Sequence, residues 1–182
     1  MSEIAFTLFD TTIGRCGLAW GEAGIVAVRL PDASDEKAQT RFEQRFPGVV
    51  EAEPTPQIAA AIARIQALLT GAKDDLADIV LDMGSLSDFQ RAVYAIGRTI
   101  PPGQTLTYGE VARRLGDPTA SRAVGEAMGK NPFPIIMPCH RVQGADGKLG
   151  GFSAPGGGVT KLKLLEIEGA TSVDALPLFA GR

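Results

Sequence analysis

Apolar residues in this chain follow two different spacings, and the change falls at Gly84. From Ala5 to Leu30 they come in short runs broken by Gly14, Gly17, Gly21 and Gly24, and Val26, Val28 and Leu30 alternate. Period-two alternation punctuated by glycine predicts an antiparallel strand meander. A polar stretch with one helix over 33–46 leads to Pro47-Gly48. Pro54-Thr55-Pro56 then introduces a helix ending at Gly71, whose Ile58, Ile62, Ile65 and Leu69 keep helical spacing and face a core. Ile79-Val80-Leu81 reads as one more strand before a domain boundary at Gly84.

Beyond Gly84 the pattern is helical, with explicit start signals. Ser87 stands three residues before Gln90 and Thr107 three before Glu110, so each pair can form a capping box that satisfies the first free amides of a helix. The segment from Tyr108 to Leu115 ends at Gly116. Asp117-Pro118 then supplies a cap and a first-turn proline for a second helix reaching about Lys130, giving helix, tight turn, helix. Asn131-Pro132 stops it, and Ile135-Ile136-Met137 is a short buried strand or extended run. A glycine-rich loop from Gly144 to Gly158 precedes a last helix, Lys161 to Glu168, and 171–182 forms an irregular peripheral tail. The expected organisation is a scaffold over 1–84, a working unit over 85–170 and that tail.

At 182 residues and 45% hydrophobic, the chain can bury a proper core. No stretch approaches the roughly 18 consecutive apolar residues of a membrane span, and the start lacks a basic region followed by an apolar one, so a cytoplasmic location is expected. Two cysteines, Cys16 and Cys139, make no disulfide framework. The net charge of −3 divides unevenly: residues 1–89 carry 7 Lys+Arg against 14 Asp+Glu, and residues 90–170 carry 10 against 6. The split is either fluctuation or an acidic scaffold beside a weakly basic working half, which permits contact with phosphates without demonstrating it.

The residues that carry chemistry are Pro138-Cys139-His140-Arg141-Val142. A thiol attacks only as thiolate, and an imidazole or cation nearby lowers its pKa from about 8.5 toward neutrality. His140 is the only histidine in the chain. Adjacent side chains on an extended segment point to opposite sides, so direct contact of Cys139 with His140 needs a local turn or a bridging water. Taken alone, the pair reads rather as a buried core cysteine and a satisfied polar neighbour.

The flanks decide between these readings. Thr107-Tyr108-Gly109-Glu110-Val111-Ala112, Arg122-Ala123-Val124-Gly125, Ala127-Met128, Asn131-Pro132 and Pro138 to Val142 stand in the order and spacing of the O6-alkylguanine-DNA alkyltransferases. The chain resembles that family from about residue 5 to 170, most strongly from Phe89 to Glu168. The resemblance implies an α+β chain: an N-terminal ribonuclease H-like α/β domain, then a mainly helical C-terminal domain with a helix-turn-helix of winged-helix-like type.

It also implies roles. Cys139 is the alkyl acceptor, His140 draws its proton through a water, Glu168 orients His140, and Asn131 holds the turn carrying the cysteine. Tyr108 crowds the phosphate beside the target nucleotide and protonates the leaving guanine. The backbone at Cys139 and Val142 accepts from the guanine amino group, Ser153 donates to O6, and Met128 forms an apolar wall. Phe152 stands where many relatives have tyrosine, Ala154 where they have glycine, and the loop before Lys161 is slightly longer, which leaves the role of Lys161 open. The DNA-reading helix carries Arg122, inserted into the base stack, with small residues such as Ala123 and Ala127 suited to a shallow minor groove.

The partner implied is double-stranded DNA with its alkylated base flipped out, met by a monomer away from membranes, with no metal or organic cofactor. Relatives that hold zinc use Cys and His ligands in the first domain, where this chain has only Cys16; Cys16 reads as a buried strand residue. A non-catalytic lesion-binding relative would lack the acceptor cysteine. A fused regulator would need a further domain, and a cysteine hydrolase would turn over on esters or peptides.

Overall fold

The computed structural model describes residues 3–145 and 157–170. Strands β1 (Ala5–Thr11), β2 (Gly14–Gly21) and β3 (Gly24–Arg29) form the expected antiparallel meander. A short β4 (Val50–Glu51) adds parallel to β1, so the sheet is mixed, with order β3-β2-β1-β4. Both faces are covered, which explains the run of buried residues from Cys16 to Trp20. Phe6 and Ala19 lie opposite each other on one face, where Phe42 of α1 (Asp35–Arg45) stacks on Phe6 with centroids 4.9 Å apart. Gly17 is required there, because a Cβ would stand 2.7 Å from the Phe42 ring. Phe9, Cys16 and Leu18 share the opposite face and belong to the same apolar cluster as Ile58, Ile62 and Ile65 of α2 (Pro56–Leu68).

Two expectations for this half change in detail. The segment 79–81 makes no strand ladder; it meets β3 at a single parallel bridge, with Ile25 N donating to Val80 O at 3.1 Å and Asp82 N to Ile25 O at 2.8 Å. The side chain of Asp82 then accepts from Gly84 N at 3.0 Å, turning the chain away before pairing can extend. Helix α2 closes at Leu68, just short of the left-handed Gly71 (φ 107°).

The second half opens with α3 (Asp88–Gly97), then β5 (Leu106–Thr107) running into α4 (Tyr108–Arg114). Both capping boxes form: Gln90 N reaches Ser87 Oγ at 3.1 Å and Glu110 N reaches Thr107 Oγ1 at 3.1 Å, with each N3 side chain returning to the cap amide. Gly116 (φ 82°) makes the tight turn and the Asp117 carboxylate accepts from Thr119 N at 3.1 Å. The second helix is divided at its start: Pro118–Ala120 is a 3-10 turn, and the α-helix proper, α5, runs Ser121–Gly129.

Residues 135–137 are not a strand. Pro134 and Pro138 flank them and cannot donate to a ladder, and Met137 N closes a turn on Phe133 O at 2.8 Å, with Ile135 in the left-handed region at φ 77°. A 3-10 turn over Cys139–Arg141 leads into β6 (Val142–Gln143), which pairs in parallel with β5. The last helix, α6, spans Gly157–Ile167, beginning a turn earlier than the sequence pattern indicates.

The halves share packing. The larger apolar cluster runs from Phe9, Leu18 and Ile65 through Tyr94 and Val111 to Met128 and Cys139. Val28 N on β3 donates to Pro132 O at 2.8 Å, and Arg98, just past the end of α3, caps the carbonyls of Leu76 and Ile79 at 2.9 and 2.8 Å. None of the described helices is long and apolar enough to cross a membrane.

Candidate active site

Cys139 begins the 3-10 turn that follows the 133–137 loop, and Asn131 holds that loop at both ends. Its side-chain amide donates to Met137 O at 2.8 Å, and its carbonyl accepts from Phe133 N at 2.9 Å. The sequence expectation that Asn131 carries the cysteine's turn therefore has a concrete geometry.

The thiol is 6% exposed, and burial pushes its pKa above the ordinary cysteine value. The neighbouring Asn131 side chain, the charge of Lys161 and the amides of Cys139 and His140 oppose that shift without reversing it. Burial thus works against the displacement toward neutrality that a nearby imidazole or cation would give. Desolvation of an anion outweighs one buried ammonium and a few dipoles.

His140 does not pair with Cys139. Its Nε2 lies 2.8 Å from Oε1 of Glu168, and its Nδ1 is buried with no protein hydrogen-bond partner among the described residues. With Nε2–H donated to the carboxylate, the neutral imidazole carries its lone pair on Nδ1, the nitrogen able to take a proton. Burial holds the His140 pKa below its ordinary value, although Glu168 pulls the other way.

Glu168 is 4% exposed and anchors a residue that the sequence reading named only as part of the cysteine motif. Arg141 is 1% exposed, and its Nε and Nη2 grip Oε2 and Oε1 of Glu168 at 2.9 and 2.6 Å while Nη1 donates to Ile100 O at 2.7 Å. Burial would raise the Glu168 pKa, but the hydrogen bonds from Arg141 and His140 bring it down to about 2. The carboxylate is therefore shared between His140 and Arg141 rather than devoted to the histidine. The available signal was an arginine adjacent to the reactive pair, since a fully buried guanidinium demands a carboxylate. Lys73, from the first half, donates to the backbone carbonyl of Glu168 at the end of α6.

Lys161 also belongs to this site. It is 1% exposed, its ammonium donates to Val142 O at 2.7 Å, and burial lowers its pKa to about 8 against the opposing attraction of the Cys139 thiolate. The Val142 carbonyl, expected to meet a guanine amino group, already accepts this bond and keeps one lone pair for another donor.

Tyr108 occupies the first position of α4, brought beside the cysteine turn because β5, which runs into it, pairs with β6. Its ring lies over Gly125 of α5, whose missing Cβ would stand 3.8 Å away. Burial first, and then proximity to the Cys139 charge, raise its pKa. On α5 itself Val124, Ala127 and Met128 form the inward stripe at i, i+3, i+4. Ala127 is 5% exposed and packs in the core, so it is withdrawn from the surface where small residues were expected to meet DNA. Ala123 remains exposed, and the Arg122 side chain is 95% exposed with Glu126 as its nearest ionic neighbour at 3.9 Å. Met128 is buried and shares a cavity wall with Cys139. Phe152 and Ser153 lie outside the described residues.

Residues 88–170 match the model of the 6-O-methylguanine DNA methyltransferase, DNA binding domain. A methylated-DNA–protein-cysteine methyltransferase from Mycolicibacterium paratuberculosis is 38% identical, over 97% of this chain and 99% of that protein. The chain belongs to this methyltransferase family. A methylated-DNA–protein-cysteine methyltransferase from Methanothermobacter thermautotrophicus is 35% identical over 85% of this chain and 80% of its own. Among solved structures, Mycobacterium tuberculosis OGT in complex with DNA superposes with a TM-score of 0.73 at 34% identity, covering 96% of this chain and 99% of that one. The methyltransferase fold of that structure, a mixed sheet followed by a helical DNA-binding unit, is the fold described above.

Proposed function

We propose that this protein repairs DNA by direct reversal, transferring the alkyl group of O6-alkylguanine to Cys139 in a single turnover. The observation that carries the reading is the buried set of Cys139, on a turn held by Asn131, His140, whose Nδ1 has no partner among the described residues, and Glu168, which joins His140 to Arg141. It stands in a chain that matches a methylated-DNA–protein-cysteine methyltransferase over 97% of its length.

The Cys139 proton passes to His140 Nδ1 through one water, and the thiolate attacks the alkyl carbon. The carbon–O6 bond breaks, its electron pair passes into the guanine ring, and Tyr108 supplies the proton that makes guanine a neutral leaving group. Glu168 stabilises the imidazolium, and Lys161 favours the thiolate. The product is a thioether, which has no acyl carbon for water to attack, so the protein is consumed. Burial disfavours the thiolate in the free protein, so deprotonation is coupled to seating of the base.

The base reaches Cys139 by leaving the duplex, at a cost of a few kcal/mol. Arg122, projecting from α5, fills the space left behind, and the small exposed Ala123 lets the helix approach a minor groove. The protein acts as a monomer on double-stranded DNA, with Ser153 and Phe152 contributing to the base pocket.

Intact-mass analysis after mixing with O6-methylguanine duplex tests the reading. One methyl group per chain, mapped to Cys139 and absent from Cys139→Ser, supports it. Continued turnover, or an adduct on Cys16, contradicts it.

A further inference from the structure

The residue that carries the buried carboxylate is held from the other half of the chain. Glu168 follows directly on α6, at the end where the last carbonyls of a helix have no partner within it. Gly169, left-handed at φ 73°, closes the helix by returning its amide to Glu166 O at 3.0 Å, and Ala170 N reaches Leu165 O at 2.9 Å. The carbonyl of Glu168 itself accepts from Lys73 Nζ, and a cation there suits the negative pole of α6. Gly103, in the loop after α3, packs on the same carbonyl so closely that a Cβ would stand 3.2 Å from it.

An exposed lysine is ordinarily a loose surface charge on a flexible stem, and Lys73 is exposed. The segment that follows it, however, is fixed from two helices. Arg64 of α2 pairs with Asp74 and with Asp78, each at 2.8 Å, and Asp74 Oδ1 accepts from Leu76 N at 3.0 Å. Arg98, just past α3, caps the carbonyls of Leu76 and Ile79. Leu76 is buried and kept at φ 54°, a region that branched apolar residues rarely adopt. Such a conformation persists only where its surroundings over-determine it, so Lys73 leaves a rigid mount. Among the described residues, its bond is the one hydrogen bond between the first half and Glu168.

We propose that Lys73 is a positioning residue for alkyl transfer, holding the main chain of Glu168 so that the carboxylate stays on His140 Nε2. The proton path thereby depends on the first half of the chain. The proposal rests on the DNA-repair reading for the identity of the reaction. Oε1 of Glu168 is shared between His140 Nε2 at 2.8 Å and Arg141 Nη2 at 2.6 Å, and Arg141 has a second bond to Oε2. If the main chain of Glu168 shifts, the carboxylate follows the guanidinium, and a displacement of about 1 Å takes the imidazole out of hydrogen-bond range. The charges facing His140 are Glu168, Arg141 and Lys161, of which only Glu168 favours the imidazolium. A looser Glu168 therefore makes His140 a weaker base.

The test compares Lys73→Met and Lys73→Arg with the unaltered protein, each also in a His140→Ala background. Transfer to Cys139 is followed by intact mass, with free O6-benzylguanine and with O6-methylguanine duplex. A general base supplies about 10²–10⁴-fold, and Lys73→Met should forfeit part of it, on the order of three- to tenfold at pH 7 on both substrates. The deficit should shrink as hydroxide takes over toward pH 10, Lys73→Arg should restore the rate, and in His140→Ala the methionine should cost nothing further. Because His140 is the only histidine, its ring nitrogens give unambiguous NMR signals without any substrate. In Lys73→Met the Nε2–H should exchange with solvent several-fold faster, while the amides of β1 and β2 exchange as before. An equal loss in the His140→Ala background overturns the proposal, as does an unchanged Nε2–H exchange. Slowing confined to the duplex also overturns it, making Lys73 a phosphate contact. Failure of the unaltered protein to form any Cys139 adduct would instead overturn the repair reading, and the Nε2–H exchange would still decide whether Lys73 positions Glu168.

Discussion

Arg141 holds Glu168 through two parallel hydrogen bonds, Nε to Oε2 at 2.9 Å and Nη2 to Oε1 at 2.6 Å, with both side chains buried. The same Oε1 receives His140 Nε2 at 2.8 Å. One carboxylate thus holds an imidazole in place and neutralises a buried cation, which ties the geometry of the site to its stability.

Replacing Arg141 by methionine should leave Glu168 buried and unpaired. Breaking one side of such a pair costs about 3–5 kcal/mol, which for a chain of this size lowers Tm by roughly 6–20 °C. Urea denaturation of Arg141→Met, Glu168→Gln and the double variant checks this. The double variant should be more stable than Arg141→Met alone, and strictly additive losses would show that the two residues do not interact.

Stability should fall on both sides of neutrality. His140 and Glu168 both have folded-state pKa values below their ordinary ones, so the unfolded chain binds more protons as pH falls. The His140 contribution is present above about pH 6.5 and is lost below it; that of Glu168 is present above about pH 4.3 and lost as pH drops toward 2. Cys139 is shifted upward, so its contribution is present below about pH 8.5 and lost as pH rises beyond. Chemical denaturation across pH should show the alkaline loss diminished in Cys139→Ser and the loss near pH 6 diminished in His140→Gln. Unchanged slopes in both variants would contradict these assignments.

Removing the base should slow transfer and change its pH dependence. General-base contributions are typically about 10²–10⁴-fold. His140→Ala should fall within that range near neutrality and recover part of its rate as hydroxide replaces the imidazole at high pH. Single-turnover rates on methylated duplex, measured from pH 6 to 10, decide it; a constant ratio to the unaltered protein throughout would remove His140 from the proton path.

Arg122→Ala should separate base extrusion from chemistry. Losing ~1 to 2 kcal/mol of the few that extrusion costs slows duplex repair roughly 5- to 30-fold. Free O6-benzylguanine needs no extrusion, so the slowing there should be markedly smaller. Equal slowing on both substrates would place Arg122 in the pocket or the core, against its 95% exposed side chain.

What could be read from the chain alone were features closed by neighbours in sequence. Each capping box joins residues three apart, the Asp117 cap reaches two residues on, and the β1–β3 meander turns at glycines whose positive φ values few other residues tolerate. Such interactions form whenever the local segment does, so their residue types are written into short stretches. The candidate site was legible where family landmarks surround it: the resemblance named Cys139, His140, Asn131 and Glu168, and the structure sets Asn131 on the loop before Cys139 and His140 against Glu168.

The tertiary structure decided the rest. Arg141 meets Glu168 across 27 residues, Lys161 reaches Val142 across 19, and Lys73 caps Glu168 across 95. No periodicity encodes such pairs, because either partner alone would pass for a solvated charge. Packing also turned Ala127 inward, forced Ile135 into the left-handed region, and gathered Arg29, Arg41 and Arg45 opposite Lys130. The physical reason is common to all of them. Burial removes water as the alternative partner, so which charges must pair, and which way a thiol's ionisation is biased, depends on what lies on every side of a group.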